Sequence, residues 1–271
     1  MSFDAAQFKR LERAGYNRIG PRYLAASLAR HGLADALLAA ARLLPGQYVL
    51  DLASGPGILA RGARNMVGDL MDGGLTIASD ISDGQLACCP DLARVAADGE
   101  ALPFASGSFD RVLCGLGLMF FPDEQAALKE MHRVLKPDGL LALSVWGRAE
   151  EVPLVEMALS CLRRLLPPPK VARPSIFRFG DADELVRRLA SADYSNIQIQ
   201  PLRFTASFSD ASAYWQGFLD LAGGAAESLS HLPAEKQQAL ATAVAEDLAS
   251  YAVAGGFTLT NTILVATGRP V

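Results

Sequence analysis

Histidine is scarce in this chain, with three in 271 residues, beside two tryptophans and four cysteines. The cysteines, Cys88, Cys89, Cys114 and Cys161, form no C-x-x-C pair and no zinc spacing. That excludes a zinc module and a disulfide framework, and predicts reduced thiols in a cytoplasmic protein with no metal site. Long apolar runs are missing too: the longest, Val112 to Phe121, stops at Pro122, about half of the ~20 residues a membrane span needs, so no span is expected. The first ten residues lack the apolar core of a secretory signal. Positive charge is in deficit, 25 Lys and Arg against 29 Asp and Glu, for a net charge of −4. A nucleic-acid partner, which would need a broad cationic face, is not expected.

What is present is apolar bulk, 51% of the residues, in a chain long enough to bury a sizeable core. Residues 22 to 43 carry apolar side chains at helical intervals until Pro45-Gly46, and Tyr48-Val49-Leu50 then reads as a buried strand. A glycine-rich turn at 53 to 57 opens a helix over Ile58 to Val67, and Leu75 to Ser79 reads as the next strand, ended by Asp80. Phe109 to Gly115 predicts a strand, Asp123 to Leu135 an amphipathic helix, Lys136 to Gly139 a turn, and Leu140 to Trp146 another strand. This alternation predicts an α/β fold with a mostly parallel sheet and helices on both faces. Beyond Trp146 the rhythm changes. Glu150 to Leu166 reads as helix, Asp181 to Ala190 as a capped helix, Asn196 to Phe208 as strand, Asp210 to Tyr251 as helices and Phe257 to Ala266 as a last strand. The helical stretches inside this second half are candidates for a substrate cap.

Chemistry concentrates at Val49-Leu50-Asp51-Leu52-Ala53-Ser54-Gly55-Pro56-Gly57. A carboxylate at a strand end followed by glycines lets a nucleoside ligand approach the backbone. Read alone, Gly55-x-Gly57-x-x-Ala60 also satisfies the dinucleotide fingerprint, and the turn leaves both kinds of cofactor open. Asp80, after the second strand, is placed to accept from ribose hydroxyls in either case. Asp98, in Ala97-Asp98-Gly99-Glu100-Ala101-Leu102-Pro103-Phe104, adds a second acceptor further along the same rim, suited to an adenine amino group.

The stretches VLDLASGPG, IASDIS, ADGEALPFASGSFD and ALKEMHRVLKPDGLLALSVW together closely resemble the motif series of class I S-adenosylmethionine-dependent methyltransferases, in the subgroup of the ubiquinone and menaquinone C-methyltransferases. The resemblance covers residues 47 to 147. It implies a Rossmann-like, doubly wound, seven-stranded sheet, S-adenosyl-L-methionine as cofactor and a small-molecule methyl acceptor. One methyltransferase domain is expected over 1–271, with a helical lid at 1–46, a cofactor core at 47–147, and further strands with helical cap insertions at 148–271. The implied cofactor-binding residues are Asp51, Ala53, Ser54, Gly55, Gly57, Asp80, Ile81, Asp98, Gly99, Glu100, Cys114 and Gly115. Ala53 departs from the glycine many members carry there. A branched side chain at 57 is expected to occupy ligand space.

Methyl transfer from a sulfonium needs alignment and water exclusion more than it needs an acid or base. His132, on the helix after strand four, is expected to be structural, and His31 and His231 are weak candidates. Because the N-terminal segment of similar enzymes folds over the cofactor, Tyr16 and Tyr23 are the candidate catalytic residues. Leu116, Met119, Phe120 and Trp146 are candidates for an apolar acceptor pocket, as are Phe177, Phe179, Tyr214, Trp215, Phe218 and Leu219 in the cap. Alternatives are a nicotinamide dehydrogenase, an arsenite or thiol methyltransferase, and a catalytically silent cofactor-binding protein. Arsenite enzymes carry a cysteine where this chain has Leu116. A homodimer stays open.

Overall fold

The computed structural model describes all residues except 1, 2, 29, 30, 170, 224, 226–228 and 230, so part of the expected helical stretch at 210–251, and the side chain of His31, lie outside the described residues. Five parallel strands, β1 (Tyr48–Leu52), β2 (Leu75–Asp80), β3 (Ala93–Ala96), β4 (Phe109–Gly115) and β5 (Leu135–Trp146), are joined by helical crossovers, except that a loop links β3 to β4. β6 (Tyr194–Phe208) and β8 (Gly256–Pro270) complete the order β3-β2-β1-β4-β5-β8-β6, with β8 antiparallel to both neighbours. The expected seven strands are joined by an eighth, the two-residue β7 (Ala252–Val253), which pairs with the start of β8.

The strands are buried on both faces, as a parallel sheet requires: Val49, Leu50, Val112, Leu113, Leu141 and Leu143 are wholly inaccessible. α2 (His31–Ala41) and α3 (Ile58–Val67) pack together, whereas α5 (Glu124–Val134) and α7 (Ala182–Ala190) are tied to each other by the Glu124–Arg188 ion pair. Right-handed crossovers place these two pairs on opposite faces. Asp123 and Asp181 cap α5 and α7, each accepting from a backbone N–H three residues on.

Two expectations need correcting. The helical pattern at 22–43 belongs to two helices, α1 (Ala5–Leu28) and α2, and α1 begins well before the apolar spacing is evident because its outer face is charged. Lys136 to Gly139 is a bulged excursion inside β5: Phe109 pairs with Leu135 and Arg111 with Leu140, so the strand resumes after the turn residues. β3, Ala-Arg-Val-Ala, is short and mostly exposed, so it does not stand out as a separate strand in the sequence.

The cap consists of α6 (Pro153–Leu165), α8 (Ala211–Leu219) and α9 (Ala234–Leu248), which contact one another. Tyr214 is wholly buried among them; its hydroxyl donates to Leu154 O at 3.0 Å and accepts from Ala158 N at 3.2 Å. Tyr214 therefore holds the cap together. α1 lies against the short helix α4 (Asp83–Leu86), and the fit depends on Gly84, where a Cβ would stand 2.5 Å from the Asn17 carbonyl oxygen. Asn17 Oδ1 accepts from Ser82 Oγ at 2.7 Å and Gly84 N at 2.9 Å, and Gln85 Nε2 donates to Tyr16 O at 3.1 Å.

Candidate active site

The carboxyl ends of β1, β2, β3 and β4 meet where the strand order reverses, the position at which open α/β sheets bind ligands. A cavity of about 100 Å³ opens there, walled by Ala53, Gly55, Asp80, Ile81, Asp98, Gly99 and Gly115 from the sheet rim and by Lys9, Glu12, Tyr16 and Tyr23 from α1. Asp80 is held rigidly: its carboxylate accepts from Gly55 N and Ser82 N, both at 2.8 Å. Burial pushes its pKa up, against the pull of these backbone donors. Asp98 accepts from Glu100 N at 3.1 Å and from Lys9 Nζ at 2.7 Å, and Lys9 also reaches Glu100 at 2.6 Å. One lysine on α1 thus pins the lid to the acidic end of the rim.

Ala53 and Leu116 both adopt left-handed backbone, φ +54° and +52°, and both wall this cavity. The first explains why glycine is common at that position; here alanine carries the strain. Leu116 is fixed by Ser144, whose carbonyl and hydroxyl oxygens accept its N–H at 3.0 and 3.2 Å.

Five of the expected cofactor residues do not line the cavity. Asp51 is wholly buried behind the glycine turn, where one oxygen accepts from Ala60 N at 2.9 Å and the other has no partner. Gly57 faces inward: a Cβ would stand 2.9 Å from both Cys89 Cβ and Leu92 Cδ1, so its glycine serves packing of protein on protein. Cys114 is inaccessible, and burial, with Asp51 nearby, pushes its thiol up to about 12. Glu100 is engaged by Lys9 and by Asp123 N, at 3.0 Å. Ser54, with its buried hydroxyl unpartnered, lines the adjoining cavity instead.

Burial raises the pKa of Asp51 from 3.8 to about 8, opposed by the Ala60 hydrogen bond and aided by Asp80. The folded protein then holds a proton there that the unfolded chain releases, so this carboxyl favours folding below pH 3.8 and loses that contribution as pH rises to about 8. Asp51→Asn, which keeps an acceptor for Ala60, is expected to flatten the fall in stability across that window. Urea denaturation inside and above it checks this; parallel pH profiles for variant and parent would show that Asp51 ionises normally.

A second cavity, about 540 Å³, shares Glu12, Tyr16, Tyr23, Ala53, Gly55, Gly115, Leu116 and Phe120 with the first. Its far walls are Trp146 of β5, Leu154, Val155 and Leu159 of α6, Ile176 and Phe177 of the connector after α6, and Phe218 of α8. Met119 and Phe179 are core residues, and Trp215 stacks on the outer side of Phe218 with centroids 5.6 Å apart; none of the three lines either cavity. His132 packs edge-on against Tyr194 at 5.4 Å, clear of both cavities, and His231 is exposed.

Tyr16 stands where the cavities join, its ring edge-on to Tyr23 at 5.7 Å and to Phe120 at 5.8 Å. Burial, then Tyr23, Glu12 and Asp80, hold its pKa well above the ordinary 10, so its phenol keeps its proton and is a donor rather than a base. The sequence reading missed Lys9, Glu12, Gln85 and Arg173. Glu12 lies one helical turn before Tyr16 on the same buried face, a spacing that points to it once α1 is known to start at Ala5. Arg173, paired with Glu12, sits in a connector without periodicity and left no signal.

The residues present fit a nucleoside cofactor carrying polar groups at both ends. Asp80 and Asp98 offer acceptors along one side, and Gln85 Oε1 is buried with no partner beside the roomy face of Gly55. None of the four cysteines lines either cavity, which leaves arsenite or thiol chemistry without a ligand there.

A family model described as a methyltransferase domain matches residues 50–143. The ubiquinone/menaquinone biosynthesis C-methyltransferase UbiE of Coxiella burnetii is 34% identical over 143 residues, 49% of this chain and 56% of that protein, so the match spans little more than half of that relative. The demethylmenaquinone methyltransferase of Corynebacterium efficiens is 33% identical over 177 residues, 60% of this chain and 74% of that protein. The fold is shared with the YcgJ protein of Bacillus subtilis, TM-score 0.61 at 18% identity over 89% of this chain and 98% of that one. Sheet order, rim carboxylates and relatives agree: the chain belongs to the class I S-adenosylmethionine-dependent methyltransferase family.

Proposed function

We propose that this protein transfers the methyl group of S-adenosylmethionine to a small, largely apolar acceptor of the quinone type, taken in its reduced, hydroxylated form. The observation that carries this reading is the 540 Å³ apolar cavity that opens directly onto the rim cavity through the shared walls Tyr16, Tyr23, Leu116 and Phe120. A cavity of that size suits a ring system with a short apolar substituent. The quinone methyltransferase relatives supply the acceptor class.

When bound, the cofactor supplies a methyl group already activated by its positive sulfur. Asp80 and Asp98 orient the nucleoside and Leu116 shapes the junction. The Tyr16, Tyr23 and Phe120 rings exclude water, and Tyr16 presents a phenol proton that it does not release. Positioning of this kind supplies on the order of 7–11 kcal/mol of a barrier. Residues 1–46 serve as lid, 47–147 as cofactor core and 148–271 as acceptor-side wall. The four free thiols suit the cytoplasm, and among the described residues no helix is long and apolar enough to cross a membrane.

Calorimetry with S-adenosylhomocysteine, followed by transfer of labelled methyl to a naphthohydroquinone, tests the reading. Phe218→Ala, which widens the acceptor cavity only, is expected to raise the acceptor KM several-fold and leave S-adenosylhomocysteine affinity within about twofold. Equal losses of cofactor affinity and folding stability, with KM unchanged, would make Phe218 a packing residue.

A further inference from the structure

Among the described residues, Glu12 is the one carboxylate that walls both cavities. It comes from α1, one turn before Tyr16, and is 6% exposed. A buried carboxylate is costly unless paired, and Glu12 is paired with Arg173, which itself lines the acceptor cavity from the connector after α6. Of the two cavities, Arg173 lines the acceptor cavity alone. The remaining polar side chains of the acceptor cavity are poor proton acceptors. Tyr16 holds its proton, Ser144 has its hydroxyl oxygen against Leu116 N, and Arg163 is paired with Glu156.

We propose that Glu12 is the catalytic base, which takes the proton of an acceptor hydroxyl as the neighbouring ring carbon attacks; this rests on the hydroxylated-acceptor reading above. In the step, the O–H proton passes to the Glu12 carboxylate and a bond forms between ring carbon and methyl carbon. The sulfur–methyl bond breaks with its electron pair left on sulfur. The ring C–H proton then moves to the acceptor oxygen as aromaticity returns, and Glu12 gives its proton to water. Arg173, paired with Glu12, holds the carboxylate in place before the acceptor arrives. An acceptor with no ionisable hydroxyl next to the methylated carbon gains nothing from this group.

The test uses 2-naphthol, whose ionised form fluoresces at longer wavelength than the neutral phenol, titrated into the protein saturated with S-adenosylhomocysteine. The parent protein is expected to bind it and show naphtholate emission. Glu12→Gln is expected to lose that emission and bind about tenfold more weakly, as when a hydrogen bond to a charged group is removed. Glu12→Asp is expected to restore the emission in part. Should Glu12→Gln fail to fold with Arg173 unpaired, the double variant Glu12→Gln/Arg173→Met removes both charges and is expected to bind naphthol dark. Arg173→Met alone leaves the buried carboxylate unpaired and is expected to weaken the emission without abolishing it. Naphtholate emission that survives in either Gln variant, or a parent protein that binds naphthol without it, overturns the assignment. A parent protein that does not bind S-adenosylhomocysteine overturns the methyl-transfer reading itself.

Discussion

Gly57→Val is expected to cost the protein its fold before it costs it the cofactor. The position has φ +79°, a region that charges an L-residue about 1–2 kcal/mol, and more for a β-branched one. Its Cβ would stand 2.9 Å from Cys89 Cβ and Leu92 Cδ1, both in a small core cluster with Ala60, Ala78 and Leu86 that has little room to yield. Overpacking of that kind adds about 1–3 kcal/mol. Together they take a large share of the 5–15 kcal/mol typical of a folded protein. The expected result is a lower unfolding midpoint in the absence of ligand, partly recovered by saturating S-adenosylhomocysteine. A variant with the parent midpoint and no ligand affinity would return Gly57 to the role its motif suggested, contact with the ligand.

Asp80→Ala is expected to weaken S-adenosylhomocysteine by about 10- to 100-fold, the loss of hydrogen bonds to a charged group worth about 1.5–3 kcal/mol. Two effects add. The ribose loses its acceptor, and the N–H groups of Gly55 and Ser82, each now donating at 2.8 Å, lose the group that holds the glycine turn against β2. Asp80→Asn retains one acceptor oxygen and is expected to fall between. Calorimetry on the folded variants decides. A loss below about threefold for the alanine variant would show that the ribose is held elsewhere, Gln85 being the nearest alternative.

Most of the sheet was legible because buried parallel strands read as short apolar runs. Ile58–Val67 and Phe109–Gly115 fall within the residues their patterns indicate. What failed to show has physical reasons. β3 is exposed and short, so only Asp98 beyond it betrays a strand there. α1 carries Lys9, Glu12 and Arg13 for contacts made across the fold with Asp98, Arg173 and Asp83, and those charges hide its apolar face. The motif positions divide in the same way. Asp80 and Asp98 are on the rim, whereas Asp51 and Gly57 shape the turn from behind. A motif records both kinds of duty without telling them apart.

The position of β8 between β5 and β6 has a consequence for how the chain is made. As residues leave the ribosome in order, β5 is completed early with one flank bare, and that flank is not filled until everything through Gly268 has been synthesised. Meanwhile the Leu141–Trp146 edge is an apolar template for mispairing. Assembly of the acceptor wall waits on the same strand, since α8 and α9 lie between β6 and β8 in sequence. Slowed translation of the segment from α8 to β8 is therefore expected to lower the yield of folded protein more than slowing anywhere in β1 to β4.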